Sequence, residues 1–400
     1  GRARPTAGAE GAVTGPSRTR YRVVIVGAGI VGLYTSYYLA RAGAGPILVL
    51  DRGFLSSGAS GRNGGGVRQQ WETRATVRLA REAIREYRRF GAEFGYNIWF
   101  RQGGYLFLAG SPEEFERLRE VHRVVASEGL ESRLVDPSAA AEIVPGLATD
   151  RIVGASFLDT DGTLYPFPAL WGVYERALSL GVEVALGVEA TGVQTERGRL
   201  SAVATSAGAI GADVVVNAAG GWSAEFSRRC GLASPNVATR HEILATEPLK
   251  PFLDPMLIRL SDGLYVSQTM RGELVGGLTV PHRPGTEGGM SSSLEFLPAM
   301  ARALVDLLPR ASTLGVLRAW SGFYDDTPDG LPVIGADPRL PGLVHANGFG
   351  GHGFMLAPAS TRRVAQCVVG ERTDLDPVAF GPERFLGASP PRSAERLQPG

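Results

Sequence analysis

Between Arg22 and Asp51 the chain reads RVVIVGAGIVGLYTSYYLARAGAGPILVLD, and this stretch leaves few folds open. Four apolar residues, Val23 to Val26, run into Gly27-x-Gly29-x-x-Gly32. A helical segment follows, then a second apolar run from Ile47 to Leu50 that ends at Asp51. The order is strand, tight turn, helix, strand. Gly27 permits the sharp turn, Gly29 lets a pyrophosphate approach the backbone, and Gly32 lets the helix pack closely on the strand. The positive helix end at Ile30 offers free N–H groups to phosphates. Asp51 lies where a carboxylate can accept from an adenosine ribose. A dinucleotide is expected here.

Net charge is +1 over 400 residues, so no strong field points to nucleic acid or an acidic membrane surface. Lys250 is the sole lysine, and the other basic residues are arginines. Cys230 and Cys367 lack the paired spacing of a metal site or a disulfide framework, which fits a reducing cytoplasm. No apolar run is long enough to span a bilayer. Residues 1–20 carry Gly, Pro, Ser and Arg without periodicity and are expected to be a disordered leader.

Beyond Asp51 the pattern departs from a simple nicotinamide domain. FLSSGASGRNGGGVRQQW is a glycine-laden loop able to lie against an extended cofactor, and a helix is expected from about Glu72 to Phe94. GGYLFLAG reads as a strand. Ser111-Pro112-Glu113-Glu114 opens a helix as a capping box. Strands and helices then alternate until Ala212 to Asn217, an apolar strand ending in NAAGGW, where the chain is expected to return to the nucleotide domain. From Val237 to Val280 several extended segments predict an antiparallel substrate sheet. GLVHANGFGGHGFMLAPAS is a second strand, glycine turn and helix. Two such turns near opposite ends of the chain suit an extended flavin dinucleotide better than a nicotinamide.

The ordered set GAGIVG, SGRNGGGVRQQW, GGYLFL, DGTLYPF, VVVNAAGGW, GLYVSQTMRGELVGG, LRAWSGFYDDTPDGLPVIG and GFGGHGFMLAP resembles the D-amino-acid-oxidase-type flavoproteins. Among these it is most similar to dye-linked L-proline dehydrogenase β subunits and the β subunit of heterotetrameric sarcosine oxidase, over roughly Tyr21 to Phe385. The resemblance implies an α/β two-domain flavoprotein. A Rossmann-like FAD-binding domain would comprise 21–100, 150–235 and 325–385, interleaved with an antiparallel-sheet substrate domain of 101–149 and 236–324. It further implies oxidation of a small amino or imino acid by hydride transfer to flavin N5, with L-proline first to try. A quinone, a dye or a partner subunit would take the electrons, and the assembly would be a homo- or hetero-oligomer. A sarcosine or glycine oxidase releasing peroxide and an electron-relay flavin subunit of a larger complex are the alternatives.

The same resemblance assigns residues. Expected cofactor contacts are Gly27, Gly29, Ile30, Gly32, Asp51 and Arg52 at the first turn, and Ser60, Arg62, Asn63, Gly64 and Gly65 in the glycine loop. Val188, Ala219, Gly220 and Trp222 follow in the middle, then Gly322, Gly350, Gly351, His352, Gly353, Phe354 and Met355. Arg68, in GGGVRQQ, matches a carboxylate-binding arginine, whose rigid fork suits an amino acid's carboxylate. Tyr324 matches a substrate-facing tyrosine, and Tyr265 would line the same pocket. His241 reads equally as a structural or a site histidine. Gly322 stands where monomeric sarcosine oxidase tethers its flavin through cysteine, so FAD is expected to be non-covalent. Met355 stands where the family carries a lysine, which favours a more apolar substrate ring. No lysine lies near Val275, where one is associated with oxygen activation, and this leans toward a dehydrogenase.

Overall fold

The structure is a computed structural model describing residues 15–281, 284–374, 376–387, 394, 395 and 397. Its first sheet is built outward from the opening strand Arg20–Val26, which lies between two parallel neighbours, Ile47–Asp51 and Gly208–Asn217. Glu183–Leu186 extends the sheet on one side, and Leu343–Asn347 and Val333–Ala336 on the other. The central strands are apolar along Val23–Val26, Ile47–Leu50 and Val214–Val216, where both faces are covered, and Val23, Ile25, Leu48 and Val215 are fully buried. Helix Ile30–Arg41 packs on this sheet against helices Pro166–Ser179 and Gly353–Val369. The return of the chain at Ala212 to Asn217 is as expected: Val24 pairs with Val215 and Val26 with Asn217.

The second sheet runs in the order Val316–Asp326, Val237–Pro248, Glu273–Leu278, Leu264–Gln268, Met256–Arg259, Tyr105–Ala109, Gly154–Leu158 and Arg133–Val135. Two expectations need correcting here. The sheet is mixed, since Met256–Arg259 runs parallel to Tyr105–Ala109, two segments that reach each other from distant parts of the chain. Gly154–Leu158 also belongs to it, not to the nucleotide domain assigned to 150–235. That strand is buried on both faces, so its pattern carries no information about which sheet it joins.

Two smaller differences concern chain ends and helix bounds. Of the expected leader, residues 1–14 lie outside the described residues. Ser17 donates from its backbone N–H and its hydroxyl to Glu183, and Arg20 already opens the first strand, so the fold begins before residue 21. The helix expected over 72–94 is two helices, Arg74–Arg88 and Phe90–Phe94, broken at Arg89. The break turns Phe90 and Phe94 into a stacked pair, centroids 4.4 Å apart, against helix Pro166–Ser179. Gly172 makes room there, because a Cβ on it would lie 2.8 Å from the Phe90 ring. Among the described residues no helix is long and apolar enough to cross a membrane.

Candidate active site

One cavity of about 740 Å³ runs from the carboxyl ends of the parallel strands to the face of the second sheet. Every residue singled out from the sequence lines it except Gly32. Gly32 acts beneath the cavity: a Cβ on it would sit 1.9 Å from the Gly27 carbonyl oxygen, so the helix could not approach the turn. Gly27 has φ of +111°, and a Cβ there would lie 2.3 Å from the Ala218 carbonyl oxygen. The first turn of helix Ile30–Arg41 has no acidic residue, so its positive end still favours a phosphate, but the Ile30 N–H expected to be free is taken by Ser60 Oγ.

Asp51 is already engaged by the protein. Its Oδ2 accepts from the Ala28 N–H at 2.8 Å and its Oδ1 from the Gly53 N–H at 2.8 Å. A carboxylate has about four lone-pair sites, so a ribose can still be held. Asp51→Ala is expected to weaken cofactor binding by roughly 1–3 kcal/mol. Flavin content and the dissociation constant of the reconstituted variant check this; unchanged values would remove Asp51 from the site.

The glycine loop is shaped by its own side chains. Asn63 donates to the Ser60 carbonyl at 2.6 Å and accepts from the Gly65 N–H at 2.8 Å. Arg62 donates to the carbonyls of Ser57 and Ser321, tying the loop to the strand that carries Gly322. The side chains of Arg62 and Asn63 therefore hold the wall in place with these donors. Ser60 Oγ accepts from the Ile30 N–H at 2.9 Å, and the Arg52 guanidinium lies 4.5 Å from the Trp222 ring centre.

At the far end three phenols meet. Tyr324 stacks on His241, ring centres 3.7 Å apart and planes within 16°. Cross-strand register explains this: His241 pairs with Gly322, so Tyr324 is its diagonal neighbour. Gly351 makes room for Tyr324, since a Cβ there would meet its ring at 2.3 Å, and Gly277 does the same for Tyr265 at 2.7 Å. Burial pushes all three pocket tyrosines, Tyr105, Tyr265 and Tyr324, above the usual phenol range, so they are neutral donors.

Arg68 is only 2% exposed, with its guanidinium 4.1 Å from the Trp71 ring centre. One Nη2 donates to the Leu397 carbonyl at 2.8 Å, a contact from beyond the stretch that the resemblance covers. The same Nη2 lies 3.3 Å from His352 Nε2. Burial, then Arg68 and His241, hold the His352 imidazole well below its usual range, so the neutral ring accepts from the arginine. Behind Arg68, Asp161 accepts from the Gln69 N–H at 2.6 Å and from Gln70, and burial pushes its carboxyl up to about 7. Neither Asp161 nor Tyr105 was assigned a role from the sequence, although each lies in a motif that carries the resemblance, DGTLYPF and GGYLFL.

The donors and the shape fit FAD. Three separated backbone turns, at Gly27–Ile30, Ala219–Trp222 and Gly350–Gly353, border one continuous cavity, as an extended dinucleotide requires. The model of the family described as FAD dependent oxidoreductase (DAO) matches residues 22–367. Sarcosine oxidase subunit beta of Rhodobacter capsulatus is 30% identical over 378 residues, spanning 92% of this chain and 89% of that protein. The glycine oxidase of Pseudomonas putida is likewise 30% identical over 378 residues, spanning 92% and 99%. Among solved structures, L-proline dehydrogenase from P. horikoshii has a TM-score of 0.85 at 31% identity, with 92% of this chain and 98% of that chain covered.

Proposed function

We propose that this chain, which belongs to the family of FAD dependent oxidoreductases, oxidises a small amino or imino acid, with L-proline as first substrate and a non-oxygen electron acceptor. The observation that carries this reading is the junction of the nucleotide turns with a pocket of one buried arginine and three neutral phenols. Such a pocket binds a compact zwitterion: an arginine for the carboxylate and aromatic walls for the ring.

FAD, when bound, supplies the two-electron acceptor. The substrate loses two electrons and two protons, one from carbon and one from nitrogen, and an imine remains. Arg68 would hold the carboxylate and so fix which carbon faces the cofactor. Tyr324, Tyr265 and His241 would close the pocket over the ring and exclude water, and Met355 would give it an apolar border.

Two observations support the choice of acceptor. Lys250, the only lysine, is exposed and does not line the cavity, so no ammonium is available there to stabilise reduced oxygen. The similarity to a protein named as a subunit supports a partner subunit as acceptor, in a hetero-oligomer. A screen of amino acids against the purified protein, run in parallel with a dye and with oxygen, tests this. Proline turnover with dye and little peroxide is expected; peroxide from sarcosine or glycine would make it an oxidase, and no turnover without a second protein a relay subunit.

FAD is expected to be non-covalent. Gly322 lines the cavity, and neither Cys230 nor Cys367 does. Acid precipitation is therefore expected to leave the yellow colour in solution. Flavin on the pellet would contradict this and direct attention to His352.

A further inference from the structure

Two polar groups in the substrate end of the cavity are buried without a hydrogen-bond partner among the described residues: Arg68 Nε and the Tyr105 hydroxyl. Buried donors are almost always paired, so both point to something the pocket is built to receive. Their placement brings them to the same side of one extended segment and to either side of one ring. Tyr105 opens the strand Tyr105–Ala109 and is 1% exposed, and its hydroxyl reaches across to the short strand Gly66–Val67. A Cβ on Gly66 would lie 1.8 Å from that hydroxyl, so only glycine at 66 admits it. Arg68 follows two residues on, and two is the period that returns a side chain to the same face of an extended segment. Both groups also flank Phe107, whose ring centre lies 6.2 Å from that of Tyr105 and 5.1 Å from the Arg68 guanidinium carbon.

We infer that Tyr105 is a second carboxylate-binding residue, donating through its hydroxyl to one substrate oxygen while Arg68 Nε donates to the carboxylate beside it. The inference rests on the amino-acid reading above and adds to it the residue that sets the preference for an acid. Two donors with no acceptor among the described residues match an anion of two oxygens. The proximity of the two groups also shows in their titration, since each figures among the causes acting on the other. A neutral phenol beside the arginine adds a donor without adding a charge, which fits a substrate that carries its own ammonium or amine.

The test uses the FAD-loaded Tyr105→Phe variant, which keeps the ring and removes only the hydroxyl. The first readout is binding of tetrahydrofuran-2-carboxylate, a ring acid with no nitrogen to oxidise, followed by perturbation of the flavin spectrum. The second is the ratio of kcat/KM for proline to that for pyrrolidine, which lacks the carboxylate. Loss of one hydrogen bond to a charged group is expected to weaken the analogue about tenfold and to lower the ratio by a similar factor, with flavin content unchanged. Equal binding by variant and wild type would overturn the inference and leave the amino-acid reading standing. Loss of flavin from the variant would also overturn it, by assigning the hydroxyl to the cofactor. A wild type that neither binds the analogue nor oxidises any amino acid would overturn both.

Discussion

Arg68→Ala is expected to lower kcat/KM for the amino acid by about ten- to a hundredfold or more, while flavin content stays near normal. A charge-assisted pair in a closed site contributes roughly 1.5–3 kcal/mol, and its loss appears in transition-state binding. Arg68→Lys separates charge from geometry: the ammonium keeps the charge and loses the planar fork. Lysine should therefore recover only part of the activity. The side chain's protein contacts sharpen the comparison, because its Nη2 also supports the Leu397 carbonyl. A purely structural arginine would depress proline and pyrrolidine turnover together. A carboxylate-holding arginine depresses proline selectively, and equal impairment on both compounds would move Arg68 out of the substrate site.

The other large effect belongs to Gly27→Ala. The new Cβ would meet the Ala218 carbonyl oxygen at 2.3 Å, a backbone atom in the neighbouring strand's turn that no rotamer change can move aside. The positive φ of +111° adds strain that an L side chain rarely tolerates. A combined cost of about 3 kcal/mol falls on the turn that faces the pyrophosphate, which converts to about a hundredfold weaker FAD binding. The variant should purify colourless or nearly so. Gly45→Ala is the control, since a Cβ there meets nothing within 4 Å and no positive φ is required. A yellow Gly27→Ala protein with wild-type affinity would show that the turn can relax, and would detach the glycine motif from cofactor binding.

What could be read from the sequence followed from signals that are local. The strand–turn–helix–strand at Val23 to Asp51 was legible because every requirement falls within thirty residues, and Gly27 and Gly32 have the turn and the close approach expected of them. The cap at Ser111 was legible for the same reason, its hydroxyl accepting from the Glu114 N–H. Assignments that depend on distant partners were not legible. Gly154–Leu158 is apolar on both faces, so nothing in its pattern tells which of two sheets it enters. Tyr105 was read only as part of a strand, and its hydroxyl, which has no hydrogen-bond partner among the described residues, marks it as different. The contact between Arg68 and Leu397 joins residues 329 apart, and no periodicity records it. The break at Arg89 came from Phe90 and Phe94 packing on a helix far along the chain, which overrode a continuous helical pattern.

The central claim, that the cavity joins FAD to an amino-acid substrate, is tested most directly by adding L-proline anaerobically to the purified yellow protein and following the flavin absorbance. Full bleaching at one equivalent of substrate per flavin, restored on adding a dye, is the expected result. Absorbance unchanged by proline, sarcosine and glycine at saturating concentration would contradict it.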